Sequence, residues 1–398
     1  MNLEKYQQYS RIARGLEQAD LVLKDARIIN VFTEEIIRGD IAIQDGIIAG
    51  IGSFQGKEER DLGGKYVCPG FIDSHLHLES TLVTPAELVT VASRHGTTTF
   101  IVDPHESANV SGLAGIDYIL EQTEDVKANV YVMMPSCVPA TGIDDNGCTL
   151  TAQDMAPYLN NSRILGLGEV MDSISVVQGD KGMHDKLELF EGRIRDGHAP
   201  FLEEGDLQAY AMAGIATDHE CSFFDYAMRE RRNGLTILIR EGSAARNLEA
   251  LVGGLVQRKM NGEGFCFCTD DKHIEDIQQE GHIDHNVRKA IRLGMNPVSA
   301  IKMATINAAN CYGLKDKGAI APGRQADLLV LSDLVNIEVE DVYYKGQLID
   351  KNENIVIKPC ASELKNTVHV AEFSKEAFHL ESKDGTFPVL LCEEGQIT

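Results

Sequence analysis

The sequence predicts an α/β protein built around a closed (β/α)8 barrel, with a small β-sandwich formed by the segments on either side of it. Three observations support this prediction. Eight short apolar runs alternate with helical patterns through the middle of the chain, which is typical of repeated βα units and a parallel sheet. Short alternating apolar runs precede this region and return after it. The length of 398 residues suits a barrel of about 250 residues with a smaller module attached.

The two flanking segments share the same strand-and-turn texture. The first has strand-like runs with a tight turn at Asp45-Gly46, and the second has them with a turn at Lys345-Gly346. We therefore expect residues 1–66 and 316–356 to form one β-sandwich and residues 67–315 to form the barrel. Residues 357–398 are expected to begin a C-terminal domain that is truncated.

The composition excludes several classes of partner. With 61 acidic and 37 basic residues, the formal net charge is −24, which repels nucleic acid and anionic membranes but not a small neutral substrate. The nine cysteines include no Cys-x-x-Cys pair, so zinc-finger and thioredoxin-like sites are excluded. Neither a signal peptide nor an apolar stretch of membrane-spanning length is visible. We expect a cytoplasmic enzyme that forms a homo-oligomer, the common condition of soluble enzymes.

In a barrel of this kind the chemistry lies at the carboxyl ends of the strands. The predicted strands end at His77, Glu106, Thr141, Glu169, His198, His219, Arg240 and Asp270. The fifth of them is short and polar for a buried strand.

Ligand-type side chains are concentrated at these ends. His75 and His77 are two positions apart on one strand, so both point to the same face and can reach one ion. A lone His-x-His pair occurs often by chance, and a single histidine at a strand end is more often structural than ligating. Strands four, five, six and eight, however, also end in ligand types: Glu169, His198, His219 and the adjacent pair Asp270 and Asp271. The set as a whole predicts a metal centre.

This arrangement resembles the amidohydrolase superfamily. Its metal site has His-x-His on the first strand, single histidines on the fifth and sixth, and an aspartate on the eighth. Residues 296–307 and 318–330 resemble the superfamily as well. Further motifs resemble the adenine deaminase family within it, among them Asp103-Pro-His-Glu106, Gly166-Leu-Gly-Glu-Val-Met171 and the stretches 196–200, 218–220, 240–243, 268–271 and 281–285.

The resemblance implies a TIM-like barrel of the metal-dependent hydrolase type and a specific reaction. Adenine would be deaminated to hypoxanthine and ammonia, a step of purine salvage, by a hydroxide generated on two divalent ions. Those ions would be Mn²⁺ or Fe²⁺, with Zn²⁺ as the alternative. One ion is expected on His75, His77, Glu169 and Asp270, and the other on Glu169, His198 and His219.

Other residues receive expected roles with their alternatives open. Asp270 is expected to be the catalytic base, with Asp271 in reserve because adjacent acids leave the register uncertain. Glu220 either transfers a proton or supports a ligand histidine through a hydrogen bond. His105 and Glu106 are expected to face the pocket, where they contact substrate, hold a further metal or brace the ligands. Arg240 and Ser243 are expected on the substrate side, although an internal salt bridge is an equal alternative for Arg240.

Two other functions remain open at this stage. The same metal site serves the hydrolysis of many C–N bonds, so the substrate could be another cyclic amide or aminated heterocycle. The second alternative is an inactive remnant, because the resembling enzymes usually carry a further domain that this sequence only begins after Ile357.

Overall fold

A computed structural model describes residues 2–367, 369–382, 384–387, 389 and 391. The strands in chain order are β1 (Ala19–Asn30), β2 (Glu35–Gln44), β3 (Ile47–Gly52), β4 (Gly56–Asp61), β5 (Tyr66–Pro69), β6 (Phe71–Leu76), β7 (Thr97–Val102), β8 (Asn129–Met134), β9 (Ile164–Val170), β10 (Ile194–Gly197), β11 (Thr217–Asp218), β12 (Thr236–Arg240), β13 (Phe265–Cys268), β14 (Leu328–Leu331), β15 (Val339–Tyr344) and β16 (Gln347–Leu348).

The helices are α1 (Leu3–Ala13), α2 (Pro85–Arg94), α3 (His105–Ser111), α4 (Leu113–Gln122), α5 (Ala152–Met155), α6 (Ser173–Gln178), α7 (Lys181–Leu189), α8 (Glu204–Met212), α9 (Phe224–Arg232), α10 (Leu248–Gln257), α11 (Ile274–Glu280), α12 (Ile283–Arg292), α13 (Pro297–Met303) and α14 (Ile306–Cys311). Short 3-10 turns lie at Glu79–Thr81, Ala156–Asn160, Ser362–Leu364 and Lys375–Phe378.

Strands β6 to β13 form the barrel. They pair in parallel in the orders β6-β7-β8-β9-β10 and β11-β12-β13. The backbone N–H of Ala216 donates to the carbonyl of Arg195 at 2.9 Å, which joins β10 to β11. The first and last strands meet where the N–H of Asp270 donates to the carbonyl of His75 at 2.9 Å. The predicted TIM-like α/β class is therefore confirmed, including the short fifth strand.

Two predicted strand ends are wrong. The second strand, expected to reach Glu106, ends at Val102, because Pro104 has no N–H to continue the sheet and α3 begins at His105. The third, expected to reach Thr141, ends at Met134. The apolar run after it continues into a buried loop with a cis Val138-Pro139 peptide, and an apolar loop has the same sequence pattern as a strand.

Both flanking segments contribute to one outer sheet. Its order is β16-β15-β14-β5-β1-β2-β3, and β4 pairs with β1. Strand β14, from the end of the chain, pairs antiparallel with β5, from its beginning. Side chains of both segments share one apolar core, which includes Ile28, Ile41 and Leu328. The proposed domain bounds stay predictions, and the expected C-terminal domain lies partly outside the described residues.

The other side of this sheet packs on the barrel. Ile29, Cys68 and Leu329 belong to one core cluster with Phe71 and Val287 of the barrel. No helix in the described part of the chain has the length and apolar character needed to cross a bilayer. The outer sheet therefore holds the start of β6, and with it the first pair of histidines, against the rest of the barrel.

Candidate metal centre

His75 and His77 lie side by side at the end of β6. Their Nε2 atoms are 3.2 Å apart, and both rings are buried. The Nδ1–H of His77 donates to the carbonyl of Asp103 at 2.7 Å, which turns Nε2 toward the carboxylates of Glu169 and Asp270. The ring of His75 stacks on that of His219, with centroids 4.1 Å apart. Histidines gathered in this way, with one ring nitrogen oriented by a carbonyl, are typical of metal ligands.

Glu169, near the end of β9, lies between two groups of histidines. Its Oε2 is 2.8 Å from Nδ1 of His198 and 3.2 Å from Nε2 of His219. Its Oε1 is 3.5 Å from Nε2 of His77 and 3.0 Å from Nδ1 of His105. Burial opposes ionisation, but the charge of His219 and hydrogen bonds from the surrounding histidines hold the pKa of this carboxyl well below its usual value. Each oxygen of Glu169 therefore faces a different histidine group, as a bridging carboxylate requires.

Asp270 follows β13 in a left-handed backbone conformation with φ +58°. Its Oδ1 lies 3.2 Å from Nε2 of His77 and 3.5 Å from Nε2 of His75. Burial raises the pKa of this carboxyl, but hydrogen bonds from the two histidines outweigh burial and keep the pKa well below its usual value. The carboxylate of Asp270 thus completes the first group of potential ligands.

These side chains can hold metal ions. Several groups of three side chains each bring their potential ligand atoms within 4.8 Å of one another, among them His75, His77 and Glu169; His75, His219 and Asp270; and Glu169, His198 and His219. The Nδ1 atom of His75 is buried without a hydrogen-bond partner. Imidazole and carboxylate ligands without thiolate suit manganese, iron or zinc. The donor set therefore fits the expected metals.

His105 and Glu106 begin α3 at the edge of this cluster. The His105 ring packs edge-on against His77, with centroids 4.5 Å apart, and its side chain is 18 % exposed. Glu106 is more open, with a 45 % exposed side chain and Oε2 at 3.7 Å from Nδ1 of His77. Its neighbour Glu79, which the sequence did not single out, has its pKa raised to about 8 by burial and by the charge of Glu106. This edge of the centre is acidic and reaches solvent.

Arg240 and Glu220 form a buried ion pair beside the ligands. The Nη1 atom of Arg240 donates to Oε1 of Glu220 and, at 3.1 Å, to Oδ2 of Asp270. Oε1 of Glu220 is also 3.4 Å from Nε2 of His219. The internal salt bridge, one of the two alternatives for Arg240, is thus present in the structure.

Asp271 and Ser243 lie next to each other in the loops after β13 and β12. The N–H of Ser243 donates to the carbonyl of Asp271 at 2.6 Å, and the Ser243 hydroxyl donates to Asp276. A methyl group on Gly242 would lie 2.4 Å from the carbonyl oxygen of Thr269, so only glycine permits this approach. Of the two adjacent aspartates, Asp270 is the one whose side chain contacts His75 and His77.

Comparison with known proteins identifies the family of this site. The sequence pattern described as "Amidohydrolase family" matches residues 66–349, which include all the residues of the cluster. The chain belongs to the amidohydrolase family.

The amidohydrolase relatives with similar sequences carry one name. Adenine deaminase of Desulfitobacterium hafniense (strain Y51) is 54 % identical over 398 residues, covering 100 % of this chain and 70 % of the relative. Adenine deaminase of Clostridium acetobutylicum is 45 % identical over 93 % of this chain and 65 % of its own. The adenine deaminase of Geobacillus kaustophilus is 45 % identical over 87 % of this chain and 61 % of the relative. This amidohydrolase chain therefore spans about two thirds of the length of the curated relatives it matches.

Solved structures support the amidohydrolase fold. A crystal structure of an adenine deaminase superposes with a TM-score of 0.61 at 17 % identity, covering 84 % of this chain and 100 % of that chain. An enamidase superposes with a TM-score of 0.61 at 16 % identity, covering 82 % and 95 %. At these identities the similarity concerns the fold alone.

One residue essential to this amidohydrolase geometry was missed in the sequence. Oδ2 of Asp103 accepts a hydrogen bond from the backbone N–H of Glu169 at 2.7 Å, while its carbonyl orients His77. A methyl group on Gly168 would lie 2.3 Å from the same Oδ2 atom. The signal was present, since Asp103 opens the Asp103-Pro-His-Glu106 motif, but that motif served only as evidence of family resemblance.

Proposed function

We propose that this chain is a metal-dependent adenine deaminase that hydrolyses adenine to hypoxanthine and ammonia. The observation that carries the proposal is the position of Glu169, whose two oxygens face separate histidine groups at the carboxyl end of the barrel. A substrate of this class is supported by relatives named adenine deaminase that are 42–54 % identical over most of the chain.

The proposal assigns each cluster residue a ligand role. One ion would be held by His75, His77, Asp270 and Glu169, and the other by His198, His219 and Glu169, with Mn²⁺ or Fe²⁺ preferred and Zn²⁺ as the alternative. Divalent ions supply hydroxide at neutral pH, because they lower the pKa of water from about 15.7 to about 7.

Asp270 is the proposed base. Water adds its oxygen to C6 of adenine, and Asp270 receives the proton that is released. The same carboxyl then delivers the proton to the exocyclic amine as the C6–N bond breaks, which releases ammonia. The carboxylate of Asp270 contacts His75 and His77, whereas Asp271 contacts Ser243 through its backbone carbonyl. We therefore assign the base role to Asp270.

Glu220 is assigned the supporting role, one of the two alternatives. Both of its oxygens accept hydrogen bonds from Arg240, and its neighbours favour the anion: despite burial, His219 and Arg240 lower the pKa of this carboxyl. Arg240 thus bonds both oxygens of Glu220, whereas it bonds only Oδ2 of Asp270, so Asp270 is the better placed of the two to carry a proton. His105 and Glu106 remain the candidates for contact with the substrate, since they lie at an edge of the site that reaches solvent.

The wider setting belongs to the same proposal. A formal net charge of −24 suits a small neutral base better than a phosphorylated nucleotide. We infer a role in cytoplasmic purine salvage by a homo-oligomer, as soluble enzymes commonly are.

The test follows adenine absorbance and ammonia release after the chain is loaded anaerobically with Mn²⁺ or Fe²⁺, together with the metal content per chain. We expect turnover that is lost in Glu169→Gln, because the amide cannot bridge two ions. Glu249→Gln, an exposed change in the first turn of α10, serves as the matched control and should retain activity.

The remaining outcomes separate the alternatives. Two ions bound without adenine turnover would favour another cyclic amide or aminated heterocycle, to be found with a substrate panel, or an inactive remnant if the whole panel fails. A chain that binds no metal would contradict the mechanism itself.

A further inference from the structure

Arg240 is a fully buried arginine at the end of β12, between two carboxylates that come from different loops. Its Nη1 donates to Glu220, from the loop after β11, and to Oδ2 of Asp270, from the loop after β13. Its Nη2 donates to the second oxygen of Glu220 at 3.2 Å, and its Nε donates to Oδ1 of Asn247 at 3.2 Å. Every nitrogen of the guanidinium is therefore engaged by the protein.

The contact with Asp270 decides which oxygen faces His75 and His77. The backbone of Asp270 has left the strand with a positive φ, so strand geometry does not fix the direction of its side chain. Oδ2 is held by Arg240, while Oδ1 lies 3.2 Å from Nε2 of His77. Because a carboxylate is planar, holding one oxygen also orients the other.

The contact with Glu220 acts on the other histidine group. Oε1 of Glu220 lies 3.4 Å from Nε2 of His219 and 3.7 Å from Nδ1 of His198. The planar fork of an arginine matches both oxygens of a carboxylate, which an ammonium group cannot do. Arg240 is thus connected through Glu220 to His198 and His219, and through Asp270 to His75 and His77.

The charge balance points in the same direction. Glu169, Glu220 and Asp270 are buried within one cluster. The positively charged guanidinium of Arg240 contacts two of them, Glu220 and Asp270. Removing one partner of a buried ion pair leaves an uncompensated charge, which is strongly unfavourable. Without Arg240, Asp270 and Glu220 would therefore lose the contact that sets their orientation.

We propose that Arg240 is a positioning residue for both ion sites: it orients Asp270 and Glu220 and does not contact the substrate. Its kinetic consequences rest on the proposed deaminase function, whereas its effect on the metal centre does not.

The test compares Arg240→Ala and Arg240→Lys with the control Arg246→Met. Arg246 lies six residues further along the chain, in the loop after β12, and pairs with Glu280 at 3.2 Å, so its removal breaks an arginine–carboxylate pair away from the ligands. The first readout is the electron paramagnetic resonance spectrum and the metal affinity of the Mn²⁺-loaded protein, which need no turnover. We expect an altered spectrum and an affinity about 10- to 100-fold weaker in Arg240→Ala, with Arg246→Met unchanged.

The second readout is kinetic. We expect kcat to fall about 100-fold in Arg240→Ala with KM for adenine changed less than about threefold, since an interaction outside the substrate site is lost. Added guanidinium should restore part of the activity by filling the vacated space. Arg240→Lys, which keeps the charge and most of the volume, should fold and show an intermediate loss, because it cannot bind both carboxylates.

Two results would overturn the inference. An unchanged Mn²⁺ spectrum and affinity in both Arg240 variants would show that the arginine does not orient the ligands. A rise in KM with unchanged kcat would instead place Arg240 in contact with the substrate. If the unsubstituted chain does not deaminate adenine, the spectroscopic comparison still decides, so failure of the proposed function is distinguishable from failure of this inference.

Discussion

The backbone N–H of Glu169 donates a 2.7 Å hydrogen bond to Oδ2 of Asp103, which lies 66 positions earlier in the chain. Asp103 follows β7 and Glu169 lies in β9, so the bond links two strands that are separated by β8. The same Asp103 orients His77 through its carbonyl oxygen. One residue therefore holds a candidate bridging carboxylate and a candidate histidine ligand in their relative positions.

Asp103→Ala should weaken Mn²⁺ binding by about 10- to 100-fold, because groups that orient metal ligands have effects of this size. Asp103→Asn should lose less, since its amide oxygen can still accept the hydrogen bond from Glu169. Competition with a chelator measures both affinities. Asp117→Ala, which removes an exposed carboxylate bonded to Tyr158, is the control. Equal affinities in all three variants would contradict the role of Asp103.

Gly168→Ala should destabilise the protein by about 1–3 kcal/mol, because the new methyl group would lie 2.3 Å from Oδ2 of Asp103 in a packed interior. Gly253→Ala is the opposite case. Gly253 lies within α10 with open space around its Cβ position, so alanine should stabilise the chain by about 0.5–1 kcal/mol. Urea unfolding of the metal-free proteins measures both effects. Shifts of the same sign would refute this explanation.

Asp270→Asn should abolish most turnover while leaving the fold intact. Asparagine tolerates the left-handed backbone found at this position, so the chain should still fold, with a lower thermal stability because Arg240 keeps only Glu220 as a charged partner. Loss of the proposed base should reduce kcat by about 10²- to 10⁴-fold. Asp271→Asn is the matched change one residue later and should retain both metal and activity. The reverse pattern would move the base role to Asp271.

Glu230→Gln should alter how stability depends on pH. Glu230 is buried in α9, and burial, together with the charge of Asp218, raises the pKa of its carboxyl from 4.5 to about 10. The folded chain thus binds a proton that the unfolded chain loses above pH 4.5, so this group lowers the free energy of unfolding as pH rises between those values. The amide of the glutamine binds no proton in either state, so in Glu230→Gln this fall in the free energy of unfolding is absent.

Urea unfolding at pH 6 and pH 9 checks this effect, since other titrating groups contribute equally to both proteins. The stability of Glu230→Gln relative to the unsubstituted chain should increase with pH. Glu249→Gln, on the surface of α10, should show no such trend. A difference between the two proteins that does not vary with pH would rule out a buried, protonated Glu230.

The barrel could be predicted from the sequence because strand-end chemistry and apolar periodicity agreed. His75, His77, Glu169, His198 and His219 all lie at or within two residues of a strand end, where the chain must deliver them to one face. The errors at Glu106 and Thr141 arose where an apolar or family-like run continued past the sheet. Burial in a loop produces the same pattern as burial in a strand.

The details of the site could not be predicted in the same way. Strand alternation says nothing about Asp270, because its backbone has left the strand, so the choice between Asp270 and Asp271 required coordinates. The contact of Asp103 with Glu169 joins residues 66 positions apart and follows from the curvature of the barrel. The direction of Arg240, toward carboxylates rather than the pocket, likewise depends on three strands meeting in space.

The closure of the barrel has a consequence for the order in which the enzyme is made. The seam between its first and last strands is fastened by two backbone hydrogen bonds, from Asp270 to His75 and from His77 to Asp270, so the ligand residues themselves form the join. During synthesis the histidines of β6 leave the ribosome nearly 200 residues before their partner. Until Asp270 arrives, the barrel cannot close and this carboxylate is missing from the site, so we expect metal capture to follow closure of the barrel.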